Sequence, residues 1–250
     1  MSGEEVRVIE YRDVPEGIRI VCGLPDIGLV GVIATAHIIY KLKLKEVAYV
    51  DADLLPPIVI LENGLPKSPI RIFGNKDLFV LSSEIAIPSN IINLIVKGII
   101  DWVWKKKAEK VLTLGGIPVP NRHEIEKLRI FGAASDETTL KKLVENEIEI
   151  LQRGFLVGPQ ALILKYCAER SIPAMALLAE AFYNYPDPEA SSVVIQALNK
   201  IMNMNIDVSE LIEKGEEVRL AMRDMMRRTQ TELMRMRKSQ EYDVPGFYIR

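Results

Sequence analysis

Two cysteines and two histidines are all that 250 residues offer for thiol or soft-metal chemistry. Cys22 and Cys167 stand among apolar neighbours, where a free cysteine behaves as a small hydrophobe, so no disulfide is expected. With only His37 and His123 beside them, no zinc-like spacing exists, and neither a metal nor a cofactor is expected. Charge of one sign is missing as well: 32 basic and 34 acidic side chains leave a formal net charge of -2. Such a balance sets up no field that would gather nucleic acid or an anionic membrane, and neither is expected as a partner. Long apolar runs are also absent. The longest, 29–40 and 85–100, are broken by His37, Ser89, Asn90, Asn93 and Lys97 before they reach bilayer length. The acidic start, Met1-Ser2-Gly3-Glu4-Glu5, has no apolar core behind it and does not read as a signal peptide, so a cytoplasmic protein is expected.

What the chain does have is 48% apolar and 26% charged residues, the composition of a globular protein with enough material for a sizeable core. The organising stretch is 18–44. Ile18, Ile20, Val21 and Cys22 read as a short strand, and 32–44 as a helix. Between them lies the turn Gly23-Leu24-Pro25-Asp26-Ile27-Gly28-Leu29-Val30-Gly31. This is the opening step of a layered α/β domain, with glycines where the chain reverses and the helix lies close to the sheet. A helix start behind a glycine turn can also cradle an anion. The residue types argue for packing instead. Asp26 stands where a dinucleotide fingerprint needs its middle glycine, and Val32 and Ile33 follow Gly31 where a phosphate-binding loop needs Lys and Ser or Thr.

Further strands are expected at 6–11, 47–50, 78–81, 111–114, 128–132 and 173–178. Two short β runs, 58–61 and 70–73, flank the turn signal Asn63-Gly64 and read as a projecting hairpin. Helices are expected from Ser89 or Asn90 to 107, from the cap Asp136 to 144, over 160–170 behind Gly158-Pro159, and over 190–202. Three places carry chemistry-bearing side chains at strand ends. Asp51 and Asp53 suit metal or acid–base work but read better as a solvated loop. Ser82 and Ser83 follow a strand without the Gly-x-Ser-x-Gly elbow. Glu180, followed by Phe182, Tyr183, Tyr185 and Asp187, is the best acid–base candidate. Its plainer role is to cap backbone groups, while Asp187 begins the helix that Pro188 continues.

From 211 to 237 the chain has no proline and one glycine, with apolar residues at Leu211, Val218, Met222, Met225, Leu233 and Met236. Spacings near three and four make one stripe, which must pack on something because lone helices are marginal. An oligomer or partner interface is expected through Val218, Met222, Met225, Leu233 and Met236, methionine being adaptable at contact surfaces. The arginines at 219, 223, 227, 228, 235 and 237 read as a solvated face. The last ten residues carry Phe247, Tyr248 and Ile249, apolar groups that termini rarely hold without a use. The chain therefore divides into a core over 1–206, a helical extension over 207–240 and a tail over 241–250.

These parts together resemble the archaeal homologues of the proteasome assembly chaperones. The resemblance rests on the Gly23 to Gly31 turn, Leu114-Gly115-Gly116 and Gly158-Pro159. It rests also on Ile172-Pro173-Ala174-Met175-Ala176-Leu177-Leu178-Ala179-Glu180 with Tyr185-Pro186-Asp187-Pro188-Glu189-Ala190. It implies a three-layer α/β/α sandwich like that of purine nucleoside phosphorylases, and a non-enzymatic homo-oligomer. The implied partners are proteasome α-subunits or a related chaperone-like protein. Phe247-Tyr248-Ile249-Arg250 is similar to the hydrophobic-Tyr-any motif by which proteasome activators dock, with Arg250 setting the tyrosine one position further from the end. The alternatives are a phosphorylase or hydrolase acting on a nucleoside or phosphorylated small molecule, and an oligomer whose tails pack on its own subunits.

Overall fold

A computed structural model describes residues 5–236. In chain order its strands are Val6–Glu10 (β1), Arg19–Gly23 (β2), Lys45–Ala52 (β3), Ile60–Glu62 (β4), Leu65–Lys67 (β5), Ile70–Gly74 (β6), Phe79–Ser83 (β7), Lys110–Pro118 (β8), Ile130–Ala134 (β9), Glu149–Ile150 (β10) and Ala174–Ala181 (β11). Its helices are Val30–Lys41 (α1), Ile92–Lys105 (α2), Glu137–Glu145 (α3), Pro159–Glu169 (α4), Pro188–Met202 (α5), Ser209–Glu213 (α6) and Gly215–Arg235 (α7).

Alternation along the strands sorts the core into two layers. Val21, Val80, Leu112, Leu114 and Leu177 face one cluster, which α1 and α5 close with Ile33, Ile38, Val194 and Leu198. Ile20, Cys22, Phe79, Leu81 and Val111 face the other, closed by Ile95 and Ile99 of α2 and Ile163 of α4. Strands covered on both faces read as continuous apolar runs, and that is how β2, β7, β8 and β11 appear in the sequence. Among the described residues the main sheet has the order β1-β3-β6-β7-β2-β8-β11-β9-β10. Its centre, β7-β2-β8-β11, is parallel. Towards one edge β6, β3 and β1 run antiparallel, and β9 is antiparallel to β11 on the other side.

The two glycines that bracket the first turn are there for room. A Cβ on Gly31 would lie 2.3 Å from the Leu114 carbonyl oxygen, and one on Gly23 would lie 2.2 Å from the Gly31 carbonyl oxygen. Helix α1 touches the sheet through these backbones, and any side chain would hold it off. The lysine run behind α2 is an anchor: Lys106 Nζ lies 2.9 Å from Glu10 and 2.6 Å from the Val14 carbonyl, and Lys107 pairs with Glu16 at 2.7 Å.

Two sequence expectations need correction. Ile70–Gly74 does not pair with the run before Asn63. It enters the main sheet between β3 and β7, while the hairpin is the shorter β4–β5 pair. Helix α2 starts after Ile91 with no side-chain cap from Ser89 or Asn90. The Ser89 amide donates instead to Glu232 of α7, at 2.7 Å. By contrast Asp136 caps α3 as expected, accepting from the Thr139 amide at 2.8 Å.

Candidate functional site

The carboxyl ends of β2, β8 and β11 meet where an open α/β sheet usually takes its ligands. Here that edge is filled from within. Gly28, in left-handed backbone at φ 60, turns its carbonyl to accept from the Asp187 amide at 2.8 Å. Asp187 is fully buried and ties the region together. It accepts from Arg122 Nε at 2.8 Å and Nη2 at 3.1 Å, from the Phe182 amide at 3.1 Å, and from the Ala190 amide at 3.0 Å as the cap of α5. Burial works against the Arg122 charge, but hydrogen bonds to Asp187 and Glu189 outweigh it and raise its pKa further. The guanidinium also lies over the Phe182 ring, 4.9 Å from its centre. Arg122 sits in a stretch the sequence marks only as a loop, and its partner is far along the chain.

The residues read as possible catalysts are held in structural roles. Glu180 Oε2 accepts from the Arg129 amide at 2.9 Å, clamping β11 to the segment before β9. Thr35 Oγ1 donates to Gly31 O at 2.9 Å and lies 3.2 Å from Ser82 Oγ, while Ser83 Oγ donates to Ile85 O at 2.8 Å. Asp51 pairs with Arg7 at 2.9 Å. Burial pushes both thiols up, that of Cys167 to about 12, which leaves little thiolate near neutral pH. Among the described residues no group of three or more His, Cys, Asp or Glu side chains is placed to hold a metal. Nor is any helix there long and apolar enough to cross a membrane.

The C-terminal helix is fastened to this body along one side. His37 Nε2 lies 2.7 Å from the Asp207 carbonyl, and Glu210 bridges Lys41 at 2.7 Å and Lys214 at 2.8 Å. Hydrogen bonds from Lys214 and then Lys41 hold the Glu210 carboxyl down to about 2. On α7 itself Met226 and Leu233 are buried in the core that α1 and α5 close. Val218, Met222, Met225 and Met236 are half-buried against that core. The stripe read from the sequence as an interface therefore faces its own body, and Leu233, fully buried, has no surface to offer. The outer face is different. Leu220 is 67% and Met234 63% exposed, at heptad positions on either side of Arg227. Arg223, Arg227 and Arg228 have no carboxylate within ion-pair distance among the described residues. Phe247, Tyr248, Ile249 and Arg250 lie outside the described residues.

A second surface, expected from the sequence as a projecting hairpin about Asn63-Gly64, is the β4–β5 arm. Two of its side chains tie it to the body: Glu62 reaches buried Arg71 at 2.7 Å and Lys67 reaches Glu46 at 3.2 Å. Apolar side chains are exposed along it, Val59 at 59%, Leu61 at 69% and Leu65 at 64%. Leu61 lies opposite Pro66.

Comparison with known proteins matches this architecture to relatives. The model of the PAC2 family matches residues 20–226. An uncharacterized protein of Methanocaldococcus jannaschii is 32% identical over 201 residues, which are 80% of this chain and 82% of the relative. Among solved structures, Pyrococcus furiosus PbaA, an archaeal homolog of proteasome-assembly chaperone, aligns with a TM-score of 0.84 at 27% identity, covering 90% of this chain and 98% of that one. Pyrococcus furiosus PbaB, an archaeal proteasome activator, aligns with a TM-score of 0.74 at 24% identity, covering 88% and 98%, a likeness of fold.

Proposed function

Because the chain belongs to the PAC2 family, we propose that it works as a proteasome-assembly-chaperone-like protein. In this reading it is a cytoplasmic, non-enzymatic homo-oligomer whose business is gripping other polypeptides. The α/β body over 1–206, a sandwich resembling the purine nucleoside phosphorylase fold, is scaffold. The extension over 207–240 builds the oligomer surface. The tail, through Phe247, Tyr248, Ile249 and Arg250, contacts proteasome α-subunits or a related chaperone-like partner. The likeness to PbaA supports the partner class.

The observation that carries the reading is the contrast between two places. The sheet edge where a substrate would sit is taken up by the Arg122–Asp187 pair, and Glu180 is spent on a backbone amide. The outer face of α7 presents Leu220 and Met234 to solvent on a helix anchored along its other side. Exposed apolar groups on a fixed element, rimmed by arginine, are the makings of a protein contact. Of the interface residues expected from the sequence, Val218, Met222 and Met225 lie half-buried on the opposite, body-facing side of α7. Co-sedimentation with purified α-rings tests the reading: the full chain travels with the rings. Turnover of nucleosides with phosphate that is lost in Glu180→Gln would instead establish the enzyme.

A further inference from the structure

Helix α7 is 21 residues long, about 30 Å, and its outer face carries charge in an ordered pattern. Glu217, Asp224, Arg228 and Arg235 follow one another at spacings of seven, four and seven residues, which line them up on one flank of that face. All four are exposed. The two acids take the N-terminal half and the two bases the C-terminal half. Glu217, Asp224 and Arg228 form no ion pair among the described residues, and Arg235 reaches only Glu232, at 2.7 Å. Exposed Leu220 and Met234 lie beside this flank, seven residues to either side of Arg227. On the other flank Glu216 is already held by Arg219. Compensation of the helix dipole accounts for an acid near one end and a base near the other, but not for the apolar groups left in water beside them.

We infer that the outer face of α7 packs antiparallel on the same face of a second copy across a two-fold axis, a contact resting on the homo-oligomeric part of the function above. The charged residues are placed symmetrically about position 226 and the apolar pair about position 227, one rise of about 1.5 Å apart, so a single alignment serves both. In it Leu220 of each copy meets Met234 of the other, Glu217 meets Arg235, and Asp224 meets Arg228. Arg227 stands at the axis, within about 3 Å along the helix of the level of the second copy's Asp224, and Arg223 falls level with neutral Gln230. A parallel pair would set like against like, Glu217 on Glu217 and Arg235 on Arg235, which is unfavourable. The flank is complementary to itself only when reversed, and this picks a second copy as its occupant: a partner of one charge sign would answer half of it. The patch meets itself, so the contact closes at two chains.

Charge exchange tests it. Glu217→Lys with Asp224→Lys makes the flank all basic, and Arg228→Glu with Arg235→Glu makes it all acidic. By light scattering each double variant alone should read a mass at least twofold lower than the unaltered chain, and an equal mixture of the two should recover the unaltered mass. Recovery on mixing also shows that both variants fold. Mild oxidation should join Leu220→Cys chains to Met234→Cys chains, giving twice the 28.2 kDa of one chain, and neither to itself. Copies of either position stand about 20 Å apart in the antiparallel pair, and the native Cys22 and Cys167 are fully buried. A single-chain mass for the unaltered protein, an unaltered mass in either double variant, a mixture that stays dissociated, or Leu220→Cys joining to itself would overturn the contact. α-Ring binding is read on the same samples. Its absence with the mixed cross-link present would sink the function and leave this contact standing.

Discussion

Arg122 grips Asp187 through two parallel hydrogen bonds, 2.8 and 3.1 Å long, at a point where neither side chain meets solvent. The same carboxylate caps α5, so one residue fixes the helix start and closes the sheet edge. Breaking a buried pair from one side strands a charge, and Asp187→Ala should cost about 3–5 kcal/mol. Exchanging both residues, in Arg122→Met with Asp187→Leu, should cost less than the single change. Urea unfolding checks the order. A double variant less stable than Asp187→Ala would show that the pair contributes more than mutual neutralisation.

Helix α1 rests on the sheet through glycine backbone. Gly31→Ala puts a methyl 2.3 Å from the Leu114 carbonyl oxygen, and the helix must lift, at a cost of about 1–3 kcal/mol. Gly215 opens α7 with nothing within 4 Å of an added Cβ, so Gly215→Ala should stabilise by about 0.4–1 kcal/mol. Thermal unfolding should move in opposite directions for the two.

The two faces of α7 should separate cleanly in mutagenesis. Leu233→Ala opens a hole in the core and should cost about 2–5 kcal/mol. Leu220→Ala, on the exposed face, should stay within about 0.5 kcal/mol when measured on dilute, dissociated protein. Equal losses would place Leu220 in the fold and not at a contact.

Acid should loosen α6 before the body. The Glu210 carboxyl is held at about 2 by Lys214 and Lys41, well below the ordinary glutamate value of about 4.3. A carboxyl depressed on folding stabilises in full above its ordinary value, and that stability drains away as pH falls through about 2. Amide protection over 209–213, corrected for intrinsic exchange, should therefore drop between about pH 4 and 2. Lys41→Gln should lower protection at neutral pH and shrink the acid step. Added salt should act in the same direction, since the pairs are exposed.

Most of the fold was legible because its signals are local. Short continuous apolar runs marked β2, β7, β8 and β11, Asp136 and Asp187 announced their helices, and the glycines of 23–31 marked close packing with no phosphate motif present. The misreadings came from long-range partners. Ile70–Gly74 looks like the return strand of a hairpin until β3 and β7 claim it. The start of α2 draws on Glu232, far along the chain, in place of its own Ser89 or Asn90 side chain. The stripe on α7 was read correctly as a packing face, but a sequence does not say whether the covering surface is a second chain or the same one. Leu233 is covered by the same one. Arg122 and Arg71 escaped notice because an arginine's burial is decided by carboxylates elsewhere in the fold.

Binding to isolated proteasome α-rings, compared between the full chain and one ending at Glu241, tests the central claim most directly. The account predicts that the full chain binds and that the shortened chain, with the body and α7 intact, loses at least tenfold in affinity, about 1.4 kcal/mol. Equal binding by the two would remove the tail's role. No binding by either, with phosphorolysis of a nucleoside found in its place, would contradict the account.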